Sequence, residues 1–133
     1  MIAHATIAVS DYQKAKKFYQ KALTPLGYKL TQNHPEWEAG GFMEGGHTSF
    51  WISRKSKVVG GHIAFEARSR QAVQKFYRSA RAAGGRDNGA PGYRPDYWPG
   101  YYAAFVYDTD GNNVEAVWYD YSKEKRSKKP NKS

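Results

Sequence analysis

Shifting the sequence against itself by 58 residues aligns His4 with His62, Lys17 with Lys75, Phe18-Tyr19 with Phe76-Tyr77, Ala22 with Ala80 and Gly27 with Gly85, without a gap. Chance supplies about one or two identities over such a window, so the chain reads as two copies of one unit. Any fold it adopts must accept the same elements twice, in the same order.

Each copy opens on a short run of period two, ATIAV from Ala5 and IAFEA from Ile63, the pattern of a half-buried strand. A helix follows both. In the first, Ser10 with Gln13 makes a capping-box pattern, and Tyr12, Ala15, Phe18, Tyr19, Ala22 and Leu23 share one face before Gly27 closes it. In the second, Ser69 is the N-cap, Val73, Phe76, Tyr77, Ala80 and Ala83 form the apolar stripe, and Gly84-Gly85 is the stop. Both stripes read as core packing against a sheet. Three more strands are predicted per copy, around residues 28–32, 38–43 and 49–53, then near Asp87 and over residues 101–107 and 113–118. Gly45-Gly46 and Asp110-Gly111 turn the chain into the last strand of each copy. The predicted class is α+β: two βαβββ modules, about residues 1–55 and 60–120, forming a curved, cup-like mixed sheet with helices on the outside.

At 133 residues the chain is of single-domain length, and it holds no cysteine. Thiol nucleophiles, thiolate metal sites and disulfides are thereby excluded, leaving His, carboxylates, Tyr, Lys or a bound metal to carry any chemistry. No stretch reaches the roughly 20 apolar residues of a membrane span, and the opening MIAHATIAVSD lacks signal-peptide features, so a cytoplasmic location is expected. The net charge of +9 owes +5 to residues 122–133, SKEKRSKKPNKS, leaving a mildly basic body. Residues 121–133 are expected to be a disordered, solubilising Lys-rich tail, and nucleic acid is not an expected partner.

Alternation along a strand tells which side chains share a face. Ala5, Ile7 and Val9 meet the first helix, leaving His4, Thr6 and Ala8 on the opposite, concave face. Ile63, Phe65 and Ala67 meet the second helix, so His62, Ala64 and Glu66 face the cup. In the last strand Glu115, Val117 and Tyr119 take the cup side. Two imidazoles and one carboxylate are a ligand set that suits Fe(II), Mn(II) or a similar divalent ion with open positions.

The paired βαβββ pattern, the strand-initial His4 and His62, and GNNVEAVW around Glu115 resemble the vicinal oxygen chelate superfamily, also called the glyoxalase, bleomycin resistance and extradiol dioxygenase group. The likeness covers Ile2 to about Tyr119, and residues 62–119 are especially similar to glyoxalase-like proteins. It implies a divalent metal (Mn, Fe, Zn or Ni) held between the modules, a small-molecule substrate bound through neighbouring oxygens, and a homodimer whose metal site is frequently assembled from both chains. Carried over residue by residue, His4, His62 and Glu115 are the metal ligands. The fourth place departs. Matching Gly46 to Gly111 sets Phe50 opposite Glu115, where glyoxalase I carries a second Glu; a one-residue slip offers Trp51. Neither ligates, so glyoxalase I chemistry itself is not implied, and three ligands resemble the fosfomycin resistance proteins and the extradiol dioxygenases.

The expected function is a metal-dependent lyase, transferase or dioxygenase acting by chelation, with Glu115 and Glu66 as catalytic carboxylates. The alternative is a non-catalytic drug- or antibiotic-binding protein similar to bleomycin resistance proteins. Residues 86–102, RDNGAPGYRPDYWPGYY, are too rich in Gly and Pro for a regular element and are expected to rim the cup, where Phe50, Arg94, Tyr97 and Tyr102 contact substrate and Tyr93, Trp98 and Tyr101 add aromatic wall. His34 and His47 are read as solvated surface residues, and Asn113 as a turn residue.

Overall fold

In the computed structural model, which describes residues 2–123, the run ATIAV is β1 (Ala5–Val9) and the chain returns through α1 (Tyr12–Leu23). All six residues assigned to the apolar stripe of α1 are buried. The N-cap is Asp11 and not Ser10: its side chain accepts from the Lys14 N–H at 3.1 Å. Ser10 is occupied elsewhere, its N–H and hydroxyl both donating to Asp110 in the other module. A 3₁₀ turn over Thr24–Leu26 ends on Gly27, whose φ of 88° lies where a side chain would be strained. Then come β2 (Lys29–His34), β3 (Ala39–Glu44) and β4 (His47–Arg54).

The second copy repeats the order as β5 (His62–Glu66), α2 (Arg70–Ala82), β6 (Arg86–Tyr93), β7 (Tyr101–Tyr107) and β8 (Asn113–Tyr119). Ser69 caps α2 by accepting from the Ala72 N–H. The sheets have orders β1-β4-β3-β2 and β5-β8-β7-β6, with the first and last strands of each module parallel and the remaining pairs antiparallel. A parallel pair needs a long crossover, which the helix and the β2–β3 or β6–β7 excursion supply. The α+β, two-module architecture expected from the repeat is therefore present, and the sheets do not close into a barrel.

Part of the Gly/Pro-rich segment expected to be irregular is regular: Arg86–Tyr93 is β6. It lies at a sheet edge with register breaks between Asp87, Gly89 and Gly92, and an edge strand tolerates Pro91 because one side of its backbone needs no ladder partner. Tyr121, Ser122 and Lys123 form a helical turn tied to Asp120; the rest of the expected tail, residues 124–133, lies outside the described residues.

One apolar core joins both modules. Phe50 of β4 packs on Tyr19 at 5.2 Å and on Phe65 of β5 at 5.0 Å between ring centroids. A polar hub crosses the same boundary. Asp108, 3% exposed, accepts from the Tyr19 hydroxyl, the backbone N–H groups of Asp110 and Asn112, and the Asn112 side-chain amide. Asn112 also donates to the Ala8 carbonyl at 3.1 Å and accepts from the Gly61 N–H at 2.7 Å. The turn before β8 is thus fixed against β1 and the start of β5.

Candidate metal centre

Register places the candidate ligands. In β5 and β8, Ala64 pairs with Glu115 and His62 with Asn113, so His62 and Glu115 project from the same face of adjacent strands. Their side chains meet, His62 Nε2 standing 3.1 Å from Glu115 Oε1. Glu115 is 2% exposed, whereas about half of the His62 side chain meets solvent. A buried carboxylate thus presents one oxygen to a ring that is open on its far side.

Hydrogen bonding fixes the chemistry of this pair. His62 Nδ1 lies 3.1 Å from the Asn113 carbonyl oxygen, and a carbonyl only accepts, so Nδ1 carries a proton and donates. Nε2 then either bears a second proton or turns a lone pair toward the Glu115 carboxylate. The second arrangement is repulsive unless a proton on the carboxylate or a cation lies between. The other carboxylate oxygen, Oε2, accepts from the Tyr101 hydroxyl. Burial first, and then the Glu115 carboxylate it donates to, raise the Tyr101 hydroxyl far above the ordinary tyrosine range, so it remains a donor at any physiological pH.

Such surroundings are compatible with a metal: a ligating imidazole usually donates its other N–H to a carbonyl or carboxylate, and a ligating carboxylate is held by a further donor. Two ligands about 2.1 Å from one ion and at roughly right angles stand about 3 Å apart. The His62–Glu115 spacing fits. His4 does not join the pair within one chain: it is exposed just before β1, and among the described residues no three His, Asp or Glu side chains come together as an ion-holding group. Glu66 is exposed at the end of β5 beside Tyr119, whose hydroxyl is raised by burial and then by Glu66, and it borders a groove of about 480 Å³ shared with Arg68 and Glu44.

Two of the expected substrate contacts point elsewhere. Ala5 pairs with Phe50 in one module and Ile63 with Val114 in the other, so the repeat mate of Glu115 is Trp51, and the one-residue slip is the true register. Phe50 faces the helix and is 1% exposed among aromatic rings, leaving it no surface for substrate. Trp51 takes the cup side with Gly41 opposite, where a Cβ would meet the indole at 3.0 Å, so the missing side chain gives the ring its room. Tyr102 likewise faces the helix, 6% exposed and accepting from Gln74 of α2, because it directly follows the cup-facing Tyr101 and successive strand residues point to opposite faces.

Tyr93, expected on the aromatic wall, pairs with Tyr102 and shares its helix side, its hydroxyl donating to Asp120, whereas Arg94, Tyr97 and Trp98 lie near β7 and β8. Arg94 donates to the carbonyls of Ala90 and Gly92, each at 2.8 Å, and its guanidinium lies 5.4 Å over Phe105, the strand neighbour of Glu115. Tyr97 packs edge-on to Tyr101 and Trp98 to Tyr119, so the aromatic wall stands over the cup-facing ends of β7 and β8. The histidines read as solvated are partly engaged: His34 stacks on Trp37 at 4.5 Å and lies near-parallel to Trp51, and His47 Nε2 meets the Ala3 carbonyl at 3.0 Å. Tyr101 as the carboxylate's donor, and Asp108 and Asn112 as the brace beneath the site, are the residues sequence reasoning missed; a buried Asn and Asp in a turn look like ordinary turn residues.

The solved structures similar to this chain repeat the architecture. A glyoxalase/bleomycin resistance protein from Albidiferax ferrireducens superposes with a TM-score of 0.73 at 25% identity, over 87% of this chain and 96% of that one. A glyoxalase/bleomycin resistance protein/dioxygenase family enzyme from Burkholderia phytofirmans gives 0.68 at 18% identity (89% and 98% covered), and a lactoylglutathione lyase from Agrobacterium tumefaciens 0.66 at 19% (89% and 92%). No curated protein matches the sequence. The family model for the Glyoxalase/Bleomycin resistance protein/Dioxygenase superfamily matches residues 1–116, so the chain belongs to that superfamily.

Proposed function

We propose that the protein is a divalent-metal-dependent enzyme that acts on a small oxygen-bearing substrate, with His62, Glu115 and His4 as the ligands. The observation that carries this reading is the His62 Nε2–Glu115 Oε1 approach of 3.1 Å, with His62 Nδ1 donating to the Asn113 carbonyl. His4 stands apart from this pair in a single chain, which favours a homodimer in which the other module supplies it. Such an ion supplies Lewis acidity, polarising two neighbouring oxygens of a bound substrate.

The protein's own groups set the rest. Tyr101 holds Glu115 by one oxygen, which leaves the other free to ligate. Arg94, locked by two backbone carbonyls, presents a fixed positive charge on the wall and suits a substrate with an anionic end. Tyr97, Tyr101, Tyr119 and Trp98 exclude water from one side of it. Glu66, at the rim beside Tyr119, is the second candidate for moving a substrate proton.

The test is a panel of vicinal oxygen compounds (hydroxyketones, catechols, epoxides with thiol, hemithioacetals) assayed with Mn, Fe, Ni or Zn and again after chelation. Turnover of at least one class, lost on chelation, restored by refilling and abolished in Glu115→Gln, supports the assignment. Ligand binding that survives chelation, with no turnover of any class, contradicts it and turns the reading to a metal-free binding protein.

A further inference from the structure

The outer helices carry charge of one sign only. α1 holds Lys14, Lys16, Lys17 and Lys21, α2 holds Arg70, Lys75, Arg78 and Arg81, and all twelve carboxylates of the chain lie outside them. Averaging over the body conceals this segregation, and with it the reason to expect a polyanionic partner. Seven of the eight cations are exposed; Lys16 is half-buried over the Tyr12 ring. Among the described residues none of the eight lies within 4.0 Å of a carboxylate. Among the described residues only Arg81 is linked to one, through the Tyr77 hydroxyl that in turn donates to Asp87.

The two helices pack on one another, and a groove of about 610 Å³ runs between Lys17 and Lys21 on one bank and Ser79 and Ala82 on the other. Arg78 and Arg81 adjoin those two small residues in the chain. Like charges three and four residues apart, as in Lys14, Lys17 and Lys21, destabilise a helix, and a face that meets only water normally mixes both signs. A bound polyanion removes that repulsion.

The occupant can be narrowed. The large exposed apolar residues, Ile2, Trp37, Val59, Tyr97 and Tyr121, all lie off the helices, so this face has no wedge for a lipid surface and no open ring on which a single-stranded base could stack. Helices of 12 and 13 residues run about 18 and 20 Å, matching about five phosphates of one strand. We infer that the α1–α2 face docks on the phosphodiester backbone of duplex nucleic acid without reading its sequence.

Fluorescence anisotropy of a labelled 20-base-pair duplex with the full chain tests this, titrated from 50 to 200 mM KCl. The expected result is affinity that falls at least a hundredfold across that range. A K17Q/K21Q/R78Q/R81Q variant, its fold checked by circular dichroism, then binds at least tenfold more weakly at 50 mM, and its log K–log salt slope is smaller by about 3 to 4; each single substitution lowers the slope by about one. No binding of the duplex at 50 mM overturns the inference. So does full retention by the fourfold variant alongside loss in a variant with Lys125, Arg126, Lys128, Lys129 and Lys132 changed to Gln, which would place binding in the terminus. Loss of phosphatidylserine-vesicle binding with duplex binding unchanged would assign the face to a membrane instead.

Discussion

Tyr19→Phe removes a single hydroxyl from the hub that joins the two modules. The Phe ring keeps the contacts that Tyr19 makes with Phe18 at 4.9 Å and Phe50 at 5.2 Å, so no cavity opens. What is lost is a hydrogen bond to the buried Asp108 carboxylate, which retains its donors from Asp110 and Asn112. A hydrogen bond to a charged group contributes about 1.5–3 kcal/mol, and at about 2.1 cal/mol/K per residue this is about 5–11 °C in Tm for a chain of 133 residues. The pH dependence gives a second readout. Burial, and then Asp108, hold the Tyr19 hydroxyl well above the usual tyrosine range. Its folded value therefore exceeds its unfolded value of about 10, and the stability it contributes is complete below that pH and declines above it, where only the unfolded chain releases the proton. Thermal and urea unfolding of wild type and variant should differ fully at pH 7.5 and converge above pH 10. A difference under about 2 °C at pH 7.5, or one that widens in alkali, refutes the reasoning.

Tyr101→Phe leaves Glu115 Oε2 without its donor and should weaken Mn binding about 10–100-fold by calorimetry, with an unchanged circular dichroism spectrum. The register assigns Trp51, not Phe50, as the repeat mate of Glu115. Trp51→Glu should accordingly fold and raise metal affinity about tenfold or more in a chelator competition, whereas Phe50→Glu buries a charge in the core and should yield little folded protein. Phe50→Ala should lower stability by about 3–5 kcal/mol in urea while metal content stays the same.

The repeat and the alternation of β1, β5 and β8 carried most of the fold and the convergence of the two candidate ligands, His62 and Glu115, because burial on one face of a strand writes a period of two into the sequence. Register was a different matter. Gly46 and Gly111 look equivalent but sit in turns of different length: Glu44 pairs with His47 across two residues, while Tyr107 and Asn113 flank five. Matching the glycines therefore displaced β4 by one residue and exchanged Phe50 for Trp51, and a one-residue error reverses every side chain. Tyr102 was set at the cup beside Tyr101 for a related reason, since a run of aromatic residues shows no alternation from which a face could be read. Ser10 and Asp11 are both good caps, and only the long-range pull of Asp110 decides between them. Edge position, which allowed β6 its Pro91 and glycines, is a property of topology and has no local signature.

The most direct test of the central claim is the metal content of the purified protein by elemental analysis, beside His4→Ala, His62→Ala and Glu115→Ala. The account predicts about one divalent ion per chain, lost in all three variants, with the folds intact. Protein that takes up no ion even after loading, or a Glu115→Ala variant that keeps its full complement, would contradict it.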